Sequence, residues 1–192
     1  MLNPFVTYTK LSDEALMKRL QNRDNKALEE LYNRYFKKLY YFSIKMLNND
    51  KETANDMVQD VFLKLVDSPD KFNTEKKIKS WIYTITANEC RKHYRLKPMR
   101  NIDNEEIEIT LHNEVENNSE SLSFFVQKMD KQLEQLSDRH KEAFILKHNQ
   151  DFSLQEIAEL QNCALGTVKS RLHYTTKFLA ENLSQYKSML TK

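Results

Sequence analysis

Apolar positions recur along this chain at intervals of three and four residues, and no stretch sustains the strict alternation of a strand. That pattern predicts a protein built from helices. Ser12 caps a first helix running to about Arg23, with Leu11 and Leu16 placed as a hydrophobic staple and Leu20 continuing the stripe. Asn25 opens a longer helix whose apolar side, Leu28, Leu31, Tyr32, Tyr35, Phe36, Leu39, Phe42, Ser43 and Met46, is rich in aromatic rings. Asp50 caps a third. Its stripe of Met57, Val58, Val61, Phe62 and Leu65 faces a core, and Asp56, Gln59, Asp60 and Leu63 share the opposite side. Ser68, Pro69 and Asp70 break that helix, and a loop through Phe72, Asn73 and Thr74 leads to a fourth with Ile78, Trp81, Ile82 and Ile85 inside and Pro98 as its stop. A compact helical unit opens again at Ser123: Phe124, Met129, Leu133 and Leu136 lie on one helix, Ser137 caps the next, and Ala143, Phe144 and Leu146 follow.

The spacing is most specific between Ser153 and Phe178. Ser153 with Glu156 three residues on is a capping box, Ile157, Ala158 and Leu160 give the short helix its apolar face, and Asn162 tolerates the left-handed backbone that ends it. A second helix starts near Leu165, with Val168, Leu172, Thr175 and Leu179 on the core side. The other side presents Thr167, Lys169, Ser170, His173, Tyr174 and Lys177, flanked by Arg171. Hydrogen-bonding heads and positive charge without a carboxylate suit a helix entering a DNA major groove. A helix pair of this kind also occurs in any small bundle. Gly166, the one glycine of the chain, favours the DNA reading, because a missing side chain at the start of that helix lets backbone approach phosphate or the partner helix.

Charge divides a chain of 192 residues whose net charge of +2 looks unremarkable. Met1 to Lys97 carries 19 Lys/Arg against 13 Asp/Glu, Pro98 to Leu122 carries 1 against 7, and Ser123 onward carries 10 against 8. The expected organisation is therefore a basic helical domain over 1–97, a flexible acidic linker over 98–122, and a second helical domain over 123–192. Lys76, Lys77, Lys79, Arg91, Lys92, Arg95 and Lys97 crowd the fourth helix, with Tyr83, His93 and Tyr94 interleaved. Cations for phosphates and flat rings for unpaired bases are what single-stranded DNA requires, although a lysine-rich solvated face has the same composition. Leu63, exposed among acids and an amide, is a plausible docking point for a basic partner helix. Cys90 and Cys163 read as ordinary buried thiols, and neither they nor the five scattered histidines have metal-ligand spacing. No apolar run approaches a membrane span and the N-terminus lacks a signal-peptide core, so a cytoplasmic protein is expected. No nucleophile and base pair or phosphate-binding glycine loop appears, which argues against an enzyme.

Taken together, NDMVQDVFLKL at Asn55 to Leu65, SWIYTITANECRKHYR at Ser80 to Arg95 and SLQEIAEL…GTVKSRLH at Ser153 to His173 resemble, in order, three helices of a sigma-70 family RNA polymerase sigma factor of the short extracytoplasmic-function (ECF) group. The resemblance implies an all-α fold of two small helical domains, a region 2-like bundle and a region 4-like helix-turn-helix domain. It implies that Asp56, Gln59, Asp60 and Leu63 meet core RNA polymerase. Asn73, Lys76, Lys77, Lys79, Arg91, Lys92, Tyr94 and Arg95 would meet the minus-10 element of promoter DNA. Thr167, Lys169, Ser170, Arg171, His173, Tyr174 and Lys177 would meet the minus-35 element. By the same resemblance, the loop from Ser68 to Lys79 captures a flipped base and Trp81 packs in the core. The family works without cofactor, metal or small-molecule substrate, has no enzymatic activity of its own, and is commonly held by an anti-sigma protein that is often membrane-tethered. Departures lie in the strongly acidic connector, the turn Gln161-Asn162-Cys163-Ala164-Leu165 and His173, which bear on which promoter is read. The competing reading is a helix-turn-helix regulator with an unrelated helical N-terminal domain.

Overall fold

The computed structural model describes residues 7–73, 77–96 and 119–189, and among these residues all regular structure is helical. The α-helices are α1 (Asp13–Gln21), α2 (Asn25–Met46), α3 (Lys51–Asp67), α4 (Ile78–Leu96), α5 (Ser119–Glu134), α6 (Asp138–Asn149), α7 (Leu154–Gln161) and α8 (Leu165–Asn182). Short 3-10 turns occupy Tyr8–Lys10, Pro69–Lys71 and Ser184–Met189.

Four of the α-helix starts are fixed by side-chain caps, three of which, Ser12, Asp50 and Ser153, the sequence announces. The Ser12 hydroxyl accepts from the Ala15 N–H at 3.2 Å, Asp50 accepts from the Thr53 N–H at 3.0 Å, and Asp24, just ahead of Asn25, accepts from Lys26. Two starts differ from expectation. Ser137 stands at the N-cap position of α6, but its hydroxyl pairs with His140 Nδ1 at 2.7 Å and not with backbone. Helix α5 begins at Ser119, so the last residues assigned to the acidic connector are helical. The remainder of the connector lies outside the described residues.

Turns need left-handed backbone, and the single glycine does not supply it. Positive φ falls instead to Arg23, Asn48, Asn49, Asp151 and Asn162, at the ends of α1, α2, α6 and α7. Four of these five are Asn or Asp, the non-glycine residues that tolerate the conformation best.

Helix α2 is the spine of the first four helices. Leu31, Leu39 and Phe42 are buried against α1, α3 and α4, where Leu16, Val58, Val61, Leu65, Ile78 and Ile82 also lose their solvent. Arg34 locks the N-terminal segment onto this spine, donating to Asp13 at 2.6 Å, Glu30 at 2.7 Å and the carbonyls of Leu11 and Thr9 at 2.9 and 3.0 Å. At the other end α6, α7 and α8 pack together, while Leu133 of α5 and Leu136 of the turn after it join Leu179 and Leu183 in a small separate cluster.

The two helical blocks do not stand apart. Leu146, Phe152, Ile157 and Val168 belong to the same apolar cluster as Phe42, Tyr83 and Val61, with α6 against α2 and α7 against α4. Helix α4 makes this possible by burying two sides: Ile78 and Ile82 face its own bundle, and fully buried Tyr83 lies edge-on between Phe42 and Phe152, at ring-centroid distances of 5.4 and 5.0 Å. Even so, Asp60 and Ser170 both remain on the outside.

Candidate nucleic-acid interface

The α3 face is built as its period dictates. Met57, Val58, Val61, Phe62 and Leu65 are buried, and Asp56, Gln59 and Asp60 are exposed beside Leu63, which keeps 58% of its surface in water. Next to them runs a groove of about 280 Å³ between α3 and α4, lined by Thr53, Asp56, Met57, Asp60, Glu89, Lys92 and His93. The structure thus brings Lys92, one of the minus-10 candidates, beside the acidic face.

The minus-10 candidates on and just before α4 are arranged in two environments. Lys92 and Asn73 are exposed; Lys76 and the side chains of Tyr94 and Arg95 lie outside the described residues. Lys77, Lys79 and Arg91, in contrast, all turn toward the C-terminal block. Lys77 pairs with Glu156 at 2.9 Å. Lys79 donates to the Gln150 carbonyl at 2.7 Å and sits 4.4 Å over the Phe152 ring, and burial pulls its pKa down. Arg91 donates to Asn88 and to Glu142, a carboxylate fully removed from solvent, whose pKa is pushed up by burial and pulled back by Arg91. Tyr83 is not an aromatic surface for bases. It is sealed in the core, where its hydroxyl donates to Gln150 Oε1, a bond whose absence would leave a buried hydroxyl unpaired at about 1–3 kcal/mol. Trp81 is half-buried against Phe72 at 5.1 Å.

More polar contacts cross between the blocks around this site. Lys45 of α2 pairs with Asp130 of α5, both buried, and Lys141 of α6 donates to the Met46 carbonyl at 3.2 Å and to Asn48. Burial lowers the pKa of Lys141 to about 8.

The capping box opens α7 in full: Ser153 Oγ accepts from the Glu156 N–H at 3.2 Å, and Glu156 accepts from the Ser153 N–H at 3.0 Å. Asn162 ends the helix at φ 49°, ψ 57°, and α8 follows after a three-residue turn. On α8, Lys169, Ser170, His173, Tyr174 and Lys177 are exposed together, while Val168, Thr175 and Leu179 are buried. Thr167 is half-buried in the first turn. Arg171 is drawn aside: its guanidinium donates to Gln161 Oε1 and approaches Cys163 Sγ at 3.5 Å, so it ties α8 to α7. Cys163 is accordingly half-buried and not a core thiol. Gly166 does not serve helix packing, since a Cβ there would meet nothing within 4 Å. The N-cap of α8 is Ala164, which offers no side-chain cap, and no acid occupies the first turn. That end of α8 is therefore open toward an anion.

Comparison with known proteins accords with this order of surfaces. The family model described as Sigma-70 region 2 matches residues 31–97, and Sigma-70, region 4 matches residues 127–177, together more than half of the chain. The chain belongs to the sigma-70 family. Within that family, the RNA polymerase sigma factor YlaC of Bacillus subtilis is 27% identical over 172 residues, covering 86% of this chain and 96% of that protein. The ECF RNA polymerase sigma-E factor of Haemophilus influenzae is 29% identical over 189 residues, covering 91% and 96%. Among solved structures, the sigma factor RpoE of Bartonella quintana, crystallised with the anti-sigma factor NepR, has the same fold at a TM-score of 0.66 and 24% identity, over 83% of this chain and 98% of that one. The region 2 match runs through α2, α3 and α4, which a helix-turn-helix regulator with an unrelated N-terminal domain does not explain.

Proposed function

We infer that this protein is an ECF-type sigma factor that binds core RNA polymerase and directs promoter recognition, strand opening and transcription initiation. The observation that carries this reading is the pair of family matches, region 2 then region 4, laid over a chain whose α3 face and α8 face both remain solvent-exposed. In this reading Asp56, Gln59, Asp60 and Leu63 dock on polymerase. Asn73, Lys76, Lys77, Lys79, Arg91, Lys92, Tyr94 and Arg95 engage the minus-10 strand. Thr167, Lys169, Ser170, His173, Tyr174 and Lys177 engage the minus-35 duplex, with Arg171 orienting α8 through Gln161. The run of basic groups on one side of α4 supports the second assignment: Lys77, Lys79 and Arg91 extend over roughly 21 Å at 1.5 Å per residue, several nucleotides of backbone.

Binding energy does the work and polymerase does the chemistry, so the protein itself is no enzyme and acts where polymerase is, in the cytoplasm. An anti-sigma protein is the expected regulator, as with the Bartonella factor. The deciding experiment is reconstitution: purified protein added to core RNA polymerase should give run-off transcripts from discrete starts on genomic fragments. Tight operator binding as a homodimer, with no effect on core polymerase, would overturn the reading.

A further inference from the structure

Ser137 breaks a local rule. It stands at the N-cap of α6 in the extended conformation of a capping residue, φ −63° and ψ 149°, yet its hydroxyl makes no bond to the backbone of the first turn and pairs with Nδ1 of His140 at 2.7 Å. A serine in this geometry that leaves the backbone uncapped gives up stability, and such departures from local rules gather at functional sites. The bond fixes a half-buried imidazole, and the imidazole in turn meets Tyr174 of α8, with ring centroids 5.1 Å apart and planes at 60°. Tyr174 also lies along Phe178, one turn further on α8, at 6.4 Å and 15°. We propose that His140 is a positioning residue for minus-35 recognition, holding the Tyr174 ring so that its edge meets the methyl group of one thymine. The proposal rests on the sigma-factor reading and adds to it a residue on α6, outside the helix that enters the groove.

The chemistry follows from what the ring leaves exposed. Tyr174 keeps 54% of its surface in water although two other rings brace it. A loose tyrosine on a helix samples several rotamers, and ordering it on DNA weakens binding; a braced ring is ordered before the duplex arrives. Ser170, one turn before Tyr174, and Lys177, three residues after it, are exposed on the same side, so the ring stands within the face assigned to the duplex. Bases in a duplex are stacked on one another and offer only their edges in the major groove, so Tyr174 reads with its rim and not with its face. The apolar feature available there is the C5-methyl of thymine, which sets a T·A pair apart from the others. His140 acts through Tyr174, and its removal leaves α6 a way to stay formed: the Ser137 hydroxyl is then free to accept the backbone N–H that it forgoes.

The test uses the full chain assembled with core RNA polymerase on a promoter duplex that it transcribes. Each thymine of the minus-35 region, on either strand, is replaced in turn by uracil, and affinity is read by competition against the labelled parent duplex. The exchange deletes one methyl group and leaves the hydrogen-bonding edges of the pair as they were. In wild type one such position should bind about fourfold more weakly, the factor expected when a methyl-sized group stays in water. In Y174A and H140A that uracil should bind as well as thymine. H140F, which keeps a ring against Tyr174, and Y174F, which deletes only the hydroxyl, should retain the preference. Contacts elsewhere in the complex cancel in the ratio of the two duplexes, so a variant that is merely less stable loses affinity for both alike. Wild type indifferent to uracil at every position overturns the proposal, and that result needs no variant to fold. A preference retained in H140A, or lost alike in H140A and H140F, overturns the positioning role; one lost in Y174F gives the reading to the hydroxyl and overturns the methyl contact. Run-off transcription by wild type separates this from the parent reading: transcripts without any uracil effect sink only this inference, and the absence of transcripts from genomic fragments sinks the sigma-factor assignment itself.

Discussion

Replacing Arg171 by alanine distinguishes a residue that reads DNA from one that builds the reader. Its guanidinium lies half-buried against α7, donating to Gln161 Oε1, while the Gln161 amide donates to the Arg139 carbonyl at 3.0 Å. Gln161 is only 3% exposed, so water cannot replace the lost donor. An unpaired buried acceptor costs about 1–3 kcal/mol. For a chain of this size each kcal/mol moves Tm by about 2–4 °C, so R171A should melt roughly 4–8 °C lower for a mid-range loss of about 2 kcal/mol. Arg171→Lys should also melt lower, since lysine keeps the charge but lacks the planar fork that reaches Gln161. The assay is thermal unfolding by circular dichroism, with Gln161→Leu completing a double-mutant cycle whose coupling should fall between about 0.5 and 3 kcal/mol. An R171A protein that melts with wild type, yet loses minus-35 affinity with a shallower salt slope, would refute the reasoning and put the side chain in the groove.

Asp60→Lys, on the exposed α3 face, should abolish co-purification with core polymerase while leaving far-UV circular dichroism unchanged; retained association would remove Asp60 from the docking surface. Gly166→Ala adds a methyl that meets nothing, so it should raise stability by about 0.5–1 kcal/mol and lower transcription from minus-35-dependent promoters. A stabilised protein with full promoter activity would exclude close approach of phosphate at that residue. Glu156 has its pKa depressed to about 2, first by the Ser153 N–H and then by Lys77. A depressed carboxylate stabilises the native state above its ordinary value of 4.5 and loses that contribution as pH falls toward 2. Wild type should therefore lose Tm faster than E156Q between those values, and parallel curves would show that the pair contributes nothing.

Much of this architecture is legible in the residues because helix period and capping are local. The two faces of α3 are as the spacing dictates, from buried Val61 to exposed Leu63, and Ser153, Glu156 and Asn162 bracket α7 through groups no more than a few residues apart. The packing of the two helical blocks against each other is not local. Tyr83 meets Gln150 across 67 residues, and a tyrosine amid lysines has the same signature whether it waits for a base or is sealed by another helix. Lys79 and Arg91 show the same limit, since their charge is visible in sequence and their acceptors in the C-terminal block are not. A hint was available: Thr86, Ala87 and Cys90 widen the small or uncharged side of α4 beyond one bundle's need, and all three are buried. The positive φ of Arg23 carried no such signal.

The bare start of α8 has a practical consequence. Ala164 is exposed and caps nothing, so a thermostability redesign would choose Asp or Ser there early, expecting about 1 kcal/mol from the new cap. Aspartate would also plant a negative charge at the threshold where the proposed minus-35 contact puts a nucleic-acid backbone. Robustness to heat and competence at promoters would then trade against each other through one methyl group.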